Sequence, residues 1–325
     1  MKRNIAIVAG GDSSEHHISI KSAQTILANL DTSLYEPFIV EIEGKRWEAI
    51  LKNSQKTPID RNDFSFTINN KKIVFDYAYI IIHGTPGENG IFAGYLRLLG
   101  IPFSTCDVLS SALTFNKFML NQFLKSFGVR VADSILLRRD STISAFNIEE
   151  RFGLPCFIKP TAGGSSFGTT KVKTREEIEP AIESAFNESD EVIVEAFIKG
   201  MELTCGYFKT KEREVVLPIT QIIPKTDFFD FDAKYRGMVK EITPASISDD
   251  LKDRVQKLTA AIYDILGCHG IIRNDYIVSE DNKINLLEVN TTPGMTPTSF
   301  IPQQITAAGM SVKEVLTEII EDSFS

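Results

Sequence analysis

Residues 270–294 read GIIRNDYIVSEDNKINLLEVNTTPG, with alternating apolar and polar residues on both sides of the pair Asp281-Asn282. Aspartate and asparagine tolerate the positive φ angles that a two-residue hairpin turn requires. A two-residue period on both sides of such a turn is typical of paired antiparallel strands. This stretch therefore predicts a β-hairpin close to the C-terminal end of the chain.

The register of this hairpin brings two acidic side chains together. With a turn at Asp281-Asn282, Asp275 lies opposite Glu288 and Arg273 lies opposite Asn290, all on one face. Opposed carboxylates repel each other unless a cation lies between them, and carboxylate and amide oxygens are the ligands that Mg²⁺ prefers. The alternative is a solvated face on which the two carboxylates pair with Arg273.

A second stretch, KPTAGGSSFG at residues 159–168, has too few large side chains to form a core. Backbone amides that are not covered by side chains can surround phosphate oxygens. The stretch is not a Walker A loop, because Thr169 stands where that motif has lysine. Lys159 and Lys117 are the candidates for the phosphate-binding cations. The alternative, a flexible surface loop, becomes less favoured beside an acidic hairpin that fits magnesium.

The rest of the chain alternates strand and helix patterns. NIAIVAGG at residues 4–11 predicts a buried strand that ends in a glycine turn before a helix, as in a Rossmann-like α/β domain. Helical spacing continues through residues 109–128 up to Gly128. Residues 224–245 show neither period and are predicted to form a long loop.

Composition excludes several classes of function. The chain has 325 residues and a net charge of -8, which argues against nucleic acid as a partner. Its four cysteines are far apart and form no CxxC pair, so they predict neither a zinc ribbon nor a disulfide framework. We find no signal peptide and no apolar run long enough to cross a membrane, and we expect a cytoplasmic protein without a membrane partner.

Five stretches together resemble the D-alanine:D-alanine ligases, a family of ATP-grasp enzymes, over essentially the whole chain. They are AGGDSSEHHIS (9–19), HGTPGENG (83–90), IKPTAGGSSFG (158–168), AKYRG (233–237), and RNDY (273–276) with LEVNTTPGMTPTS (287–299). The resemblance implies an α/β protein, α+β in its ATP-binding part, with an ATP-grasp fold and an N-terminal Rossmann-like domain. It implies three domains at residues 1–100, 101–195 and 196–325, and a homodimer.

The resemblance also implies how ATP and metal are bound. The residues matching the family's nucleotide site bind the phosphates, the adenine edge and the ribose; they are Lys117, Lys159, Ser166, Glu195, Ala196, Ile198, Glu202 and Lys234. Asp275, Glu288 and Asn290 match the ligands of two Mg²⁺ ions, for which Mn²⁺ can substitute. This assignment agrees with the predicted register of the hairpin.

The remaining matched residues are implied to handle the two D-alanine substrates. Glu15 matches the acid that holds the ammonium group of the first D-alanine, although Asp12 and Glu15 could also form a helix-capping pair. The other matches are His83 near the first substrate, Ser165 and Tyr235 in the closing loops, Arg273 and Gly294 as stabilisers of negative charge, and Ser299 at the second carboxylate.

These roles imply an ATP-dependent ligase that joins two D-alanine molecules through a D-alanyl phosphate, a step of peptidoglycan synthesis that supports the cell wall and cell shape. The nearest alternative is a ligase of the same family with D-serine or D-lactate as the second substrate. A non-catalytic ATP sensor would not need the hairpin, Glu15 or Arg273. A dinucleotide-dependent oxidoreductase is disfavoured because the AGGDSS turn lacks the GxGxxG pattern.

Overall fold

A computed structural model describes residues 2–163, 167–224 and 239–325. The helices within these ranges are α1 (His16–Asn29), α2 (Ile91–Leu99), α3 (Val108–Phe115), α4 (Lys117–Lys125), α5 (Ala145–Phe152), α6 (Ile178–Glu188), α7 (Asp249–Leu266), α8 (Phe300–Ala307) and α9 (Val312–Asp322). A short 3₁₀ turn, Arg175–Glu177, leads into α6.

The strands form three main sheets and one small one. The first sheet has the order β4-β3-β2-β1-β7 and the fourth pairs β5 with β6; these strands are β1 (Arg3–Gly10), β2 (Tyr35–Glu43), β3 (Arg46–Ile50), β4 (Lys56–Pro58), β5 (Ser65–Ile68), β6 (Lys71–Val74) and β7 (Tyr77–Ile80). The second sheet has the order β10-β9-β11-β8, with β8 (Ser134–Arg138), β9 (Cys156–Pro160), β10 (Thr170–Val172) and β11 (Glu191–Ala196). The third has the order β15-β14-β12-β16-β17 with β13 paired to β12, and contains β12 (Gly200–Lys209), β13 (Glu214–Val216), β14 (Thr220–Pro224), β15 (Val239–Ile242), β16 (Ile271–Ser279) and β17 (Ile284–Asn290).

The first sheet has the parallel centre that the N-terminal pattern predicts. β1 pairs in parallel with β2 and with β7, and α1 connects β1 to β2. Residues 5–10 of β1 are all buried, because helices and loops cover both faces of the strand. The glycine turn after β1 therefore opens at the carboxyl edge of this sheet, where α1 begins.

The second and third sheets are antiparallel and have separate cores. One core packs α5 and α6 against the second sheet, and another packs α7 against the third sheet. The two sheets face a common cavity of about 1450 Å³, which extends to the start of α1. The fold therefore places the glycine-serine stretch, the hairpin and the start of α1 around one space.

The C-terminal helix α9 binds the first sheet although it follows the third sheet in sequence. The Arg3 guanidinium donates to both carboxylate oxygens of Glu321, at 2.6 and 2.9 Å, and the Tyr35 hydroxyl donates to the same carboxylate at 2.6 Å. Apolar residues of α9 share a core with α1, β1 and β7. This packing holds α1 in place relative to the third sheet.

Two predictions about secondary structure were wrong. The helical pattern of residues 109–128 is interrupted at Asn116, which ends α3 and begins α4 by accepting a hydrogen bond from Met119 N at 3.0 Å. The predicted loop at residues 224–245 contains the strand β15, which pairs with β14. Periodicity missed both features because a side-chain cap and a strand of four residues leave little pattern in the sequence.

Gly270 lies where the segment that follows α2 passes the start of β16. Its φ is +66°, and a Cβ atom there would lie 1.8 Å from Ser104 O. Gly309 has a similar φ of +75° but has no atom within 4 Å of a Cβ position. Backbone conformation alone would favour glycine at both positions, whereas only Gly270 has a neighbour that excludes a side chain.

We expect Gly270→Ala to lower the free energy of unfolding by about 2–5 kcal/mol, because it combines left-handed strain with a steric clash. Gly309→Ala, which carries only the strain, should cost about 1 kcal/mol. Urea denaturation of both variants measures the difference. Equal losses would show that the approach of Ser104 does not constrain Gly270.

Candidate active site

The predicted hairpin is present and its functional end has the predicted register. β16 and β17 pair antiparallel, with Asp275 opposite Glu288 and Arg273 opposite Asn290. All four side chains line the common cavity. The opposition of the two carboxylates, which the sequence predicted from spacing alone, is therefore confirmed.

The predicted two-residue turn is wrong. Ser279 N donates to Lys283 O at 2.9 Å and Asn282 N donates to Ser279 O at 2.8 Å, so the loop has three residues and Asn282 takes the positive φ, +60°. This longer loop moves the register by one residue, and Tyr276 pairs with Leu286. A β-bulge at Leu287 restores the predicted pairing of Asp275.

Arg273 holds the two carboxylates in the arrangement seen here. Its Nε donates to Asp275 Oδ1 at 2.9 Å, its Nη2 donates to Asp275 Oδ2 at 2.8 Å, and Nη2 lies 3.9 Å from Glu288 Oε1. Burial opposes the charge of Arg273, but the two carboxylates outweigh it and raise its pKa. Arg273 also lies over the ring of Phe300, 5.4 Å from its centroid.

Asn290 completes the polar group at this end of the hairpin. Its Nδ2 donates to Asp275 Oδ2 at 3.3 Å and to Glu288 Oε1 at 3.4 Å. The alternative interpretation, in which the carboxylates pair with Arg273, matches the contacts of Arg273 with Asp275 and Glu288. Among the described residues no group of three or more His, Cys, Asp or Glu side chains could hold a metal ion. The oxygen atoms available at this end of the hairpin belong to the carboxylates of Asp275 and Glu288 and to the amide of Asn290.

Two lysines reach the same cavity from different elements. Lys117 is the first residue of α4, and its Nζ donates to Gly163 O at 2.8 Å. Burial lowers the pKa of Lys117, and Glu288 opposes this shift. Lys159 at the end of β9 forms an ion pair with Glu195. The break at Asn116 matters here, because it places Lys117 at the start of a helix beside the glycine-serine stretch.

The predicted nucleotide edge borders the cavity between the second and third sheets. Glu195 is buried at 5% exposure and accepts a hydrogen bond from Asn121 at 2.9 Å. The carboxylate that pairs with Lys159 is therefore itself fixed in position. Ala196, Ile198 and Glu202, which is on β12, also line the cavity. Four apolar side chains line it as well; they are Phe157, Phe197, Met201 and Leu287.

Glu15 and His83 also line the cavity and lie close enough to interact electrostatically. Glu15 precedes α1, but its side chain makes no capping hydrogen bond, and Asp12 accepts from Gly44 N at 2.7 Å instead. The capping alternative for Glu15 is therefore wrong. His83 is buried, which lowers its pKa while Glu15 opposes the shift, and its Nε2 has no hydrogen-bond partner within the described ranges.

The segment after β17 brings Gly294 and Ser299 to the cavity. Ser299 Oγ accepts from Thr296 N at 3.1 Å and lies 2.7 Å from the Thr296 hydroxyl. A Cβ atom on Gly294 would approach Ser299 Oγ to 2.9 Å, so a side chain here would crowd the serine. Met295 N donates to the hydroxyl of Ser22 on α1 at 3.3 Å, which joins this segment to the helix behind Glu15.

The structure thus brings most of the predicted site residues around one cavity. The predicted residues Ser165, Ser166, Lys234 and Tyr235 lie outside the described residues. Their predicted roles stay predictions.

Sequence reasoning missed Glu88, which also lines the cavity. Its Oε2 accepts from Gly84 N at 2.7 Å and so closes the HGTPGENG loop. Burial raises the pKa of Glu88 to about 7, and the nearby charge of Glu15 adds to the rise. A glutamate in a glycine-rich loop usually faces solvent, and nothing in the one-dimensional pattern distinguishes this one.

Two family descriptions match this chain. One, the D-ala D-ala ligase N-terminus, covers residues 4–106, and the other, the D-ala D-ala ligase C-terminus, covers residues 123–321. A D-alanine--D-alanine ligase of Phocaeicola vulgatus is 61% identical over 324 residues, which is 100% of both chains. One of Bacteroides fragilis is also 61% identical over the same length and coverage.

The chain belongs to the D-alanine–D-alanine ligase family. Solved structures agree: a D-Ala:D-Ser ligase from Enterococcus faecalis has a TM-score of 0.86 at 30% identity, covering 99% of this chain and 100% of its own. A D-alanine--D-alanine ligase from Bacillus anthracis complexed with ATP has a TM-score of 0.78 at 29% identity, covering 99% and 97%. The predicted α/β ATP-grasp fold and the assignment as a ligase are confirmed.

Across the described part of the chain, no helix is both long and apolar enough to span a membrane.

We expect the pH dependence of stability to report Glu88. The unfolded chain loses this proton near pH 4.5 and the folded chain near pH 7, so the folded state binds more protons between these values. Through Glu88, the free energy of unfolding therefore falls as pH rises across this window. Glu88→Gln should remove that fall, as measured by urea denaturation at a series of pH values without nucleotide.

Glu183→Gln, at an exposed position on α6, is the matched control for the loss of one glutamate. We expect it to keep the wild-type slope. An unchanged slope in Glu88→Gln would show that Glu88 does not hold a proton in this range.

Proposed function

We propose that this protein joins two D-alanine molecules to D-alanyl-D-alanine at the expense of ATP, for peptidoglycan precursor synthesis. One observation carries the proposal: a single cavity is lined by two lysines, by an opposed pair of carboxylates with an arginine, and by the Glu15 carboxylate. Cations for phosphate, ligands for a divalent metal and an anion for an ammonium group are the parts that such a ligase needs.

In this proposal ATP lies between the second and third sheets. Lys117 and Lys159 bind its phosphates as point charges, with help from Ser166 and Lys234. The main chain from Glu195 through Ala196 to Ile198 borders the adenine, and Glu202 binds the ribose. The apolar residues that line the same cavity support this placement, because a flat aromatic base packs well against apolar side chains.

The hairpin residues fit Mg²⁺. Asp275 and Glu288 offer hard oxygen ligands from opposite strands. A 180° flip of the Asn290 side-chain amide directs its oxygen toward the metal. Few protein ligands are typical of Mg²⁺, which fills its shell with water and phosphate oxygens. We propose two Mg²⁺ ions, with Mn²⁺ as a substitute; the bound metal screens repulsion between the carboxylate substrate and the phosphates.

In this proposal the part of the cavity lined by Glu15, His83 and Ser299 binds the amino acids. Glu15 holds the ammonium group of the first D-alanine near His83, and Ser299 holds the carboxylate of the second. Ser165 and Tyr235 close the loops over both. The Glu15 carboxylate then holds the ammonium group of the first D-alanine while the hairpin carboxylates face the phosphates, which orients the substrate carboxylate toward ATP.

The reaction has two steps. A carboxylate oxygen of the first D-alanine attacks the γ-phosphorus of ATP, which forms D-alanyl phosphate and releases ADP. The ammonium group of the second D-alanine loses a proton, and the resulting amine attacks the acyl carbon to form a tetrahedral intermediate. The carbon–oxygen bond to phosphate then breaks, and phosphate leaves. Arg273 and the backbone amide of Gly294 stabilise the negative charge on the acyl phosphate and on the tetrahedral intermediate.

The identity of the second substrate is the point on which the closest alternative differs. A ligase for D-serine or D-lactate would use the same nucleotide site, and the fold neighbour from Enterococcus faecalis is a D-Ala:D-Ser ligase. D-alanine is favoured because relatives at 61% identity are D-alanine--D-alanine ligases along their full lengths.

The experiment that tests the function is an assay of phosphate release with ATP, Mg²⁺ and each amino acid in turn. We expect release that depends on D-alanine, and little release with D-serine or D-lactate as the second substrate. Arg273→Ala should lower turnover by about 100-fold or more while ADP still binds, because it removes a donor to developing charge. Background release with D-alanine would contradict the proposal, and near-normal turnover of Arg273→Ala would contradict the role of that residue.

We propose three domains, at residues 1–100, 101–195 and 196–325, in a cytoplasmic protein. Two cores support this division, because one lies wholly within residues 1–101 and another wholly within residues 137–194. The third sheet shares its core with residues 106–129, and α9 packs against the first sheet. The four cysteines are free and buried, as suits a reducing compartment. Limited proteolysis tests the boundaries: cleavage confined to the interior of these segments would contradict them.

We also propose a homodimer, with the partner covering α2 and α3. Four apolar side chains are exposed on these neighbouring helices, with exposures from 40% to 89%; they are Ile91, Leu98, Val108 and Leu109. A second copy of the chain would remove this patch from water. Light scattering should give twice the mass of one chain, and Leu98→Asp should reduce it to one. A monomeric wild-type protein would contradict the dimer.

A further inference from the structure

The carboxylate of Asp275 is surrounded by four donated hydrogen bonds. Thr204 Oγ1 donates to Oδ1 at 2.5 Å, and Arg273 Nε donates to the same atom at 2.9 Å. Arg273 Nη2 and Asn290 Nδ2 donate to Oδ2 at 2.8 and 3.3 Å. A carboxylate accepts about four hydrogen bonds, so this group is fully occupied before any metal binds.

Two of these three donor residues have other tasks in the proposed reaction. Arg273 must turn toward the acyl phosphate and the tetrahedral intermediate, and Asn290 must turn its amide to present an oxygen to the metal. Both changes remove hydrogen bonds from Asp275. Thr204 has no such task, so its hydroxyl is the contact that can hold Asp275 through the whole reaction.

The position of Thr204 keeps its hydroxyl beside Asp275. It lies on β12 directly opposite Asp275 on β16, so the two side chains share one face of the sheet. It is fully buried, and a hydroxyl donating to a carboxylate is a charge-assisted bond. Because threonine is branched at Cβ, its side chain has little freedom to turn the hydroxyl away.

The backbone around Thr204 is held by a buried glutamine from α8. Gln304 Nε2 donates to Thr204 O at 3.0 Å and to the Thr220 hydroxyl at 3.1 Å, and its Oε1 accepts from Gly206 N at 3.0 Å. Gly206 leaves room for this amide, since a Cβ there would lie 2.7 Å from Gln304 Oε1. The helix that follows Ser299 therefore fixes the strand that carries Thr204.

We propose that Thr204 is a positioning residue for the metal-binding hairpin. Its hydroxyl holds Asp275 Oδ1, so that Oδ2 stays directed toward Glu288 and Asn290 when the metal arrives. Gln304 supports Thr204 and couples it to the segment that holds the second substrate. The inference rests on the proposed function for the identity of the metal, but it concerns the affinity of the hairpin for a divalent cation.

The test uses Thr204→Val, which removes the hydroxyl and keeps the shape, and Thr204→Ser, which keeps the hydroxyl. Mn²⁺ is the probe: its binding to the full chain in the presence of ADP is titrated by electron paramagnetic resonance. We expect Thr204→Val to weaken Mn²⁺ binding by about 10-fold or more, and Thr204→Ser to stay within about threefold of wild type. In the phosphate assay, Thr204→Val should raise the KM for Mg²⁺ by a similar factor and change kcat at saturating Mg²⁺ far less.

Thr259→Val is the matched control. Thr259 is also fully buried, and its hydroxyl contacts Val255 O at 2.9 Å and the Tyr276 hydroxyl at 2.8 Å, on the face of β16 away from the cavity. We expect this variant to lose stability like Thr204→Val but to bind Mn²⁺ like wild type.

Three results would overturn the inference. They are wild-type Mn²⁺ affinity in Thr204→Val, an equal loss in Thr204→Ser, or an equal loss in Thr259→Val. The Mn²⁺ titration needs no turnover. A wild-type protein that releases no phosphate with D-alanine would therefore refute the proposed function and still leave the role of Thr204 decided by the titration.

Discussion

The opposition of Asp275 and Glu288 across β16 and β17 is the constraint on which the site depends. Two carboxylates that face each other on a partly buried sheet repel each other. Arg273 compensates for this repulsion, because it pairs with Asp275 and approaches Glu288. In the proposed reaction a divalent cation would replace Arg273 as the positive partner of the two carboxylates. Arg273 would then be able to turn toward the acyl phosphate. One cluster of charges can thus serve both the resting protein and the proposed reaction.

Buried contacts with several neighbouring elements fix the strands and helices that carry these charged residues. Gly270 passes Ser104 at the start of β16, and α8 fixes β12 behind Thr204 through Gln304. On the other side, α9 binds β1 and β2 and keeps α1, with Glu15 before it, against the third sheet. The charged groups therefore lie on strands and helix ends with buried supports. Such supports suit a reaction that needs the phosphate and both amino acids within bonding distance.

Part of the site could be predicted from spacing. The pairing of Asp275 with Glu288 was correct although the predicted turn was not, because the extra loop residue near Asn282 and the bulge at Leu287 shift the register by equal amounts in opposite senses. The break at Asn116 and the strand β15 were missed, since local hydrogen bonds of side chains and pairing with a distant strand leave no period in the sequence. Glu88 and Thr204 were missed for a related reason: each acquires its chemistry from neighbours far away in the chain.

The sequence by itself determined the family, the order of strands and helices in outline, and which residue types are available for phosphate, metal and ammonium. Those properties follow from composition, periodicity and motif, which are local. The tertiary structure alone decided which residues of distant segments line one cavity, that burial raises the pKa of Glu88 to about 7, and that the Thr204 hydroxyl donates to Asp275. Burial and the distances between charges set these properties, and both arise only when segments distant in sequence pack together.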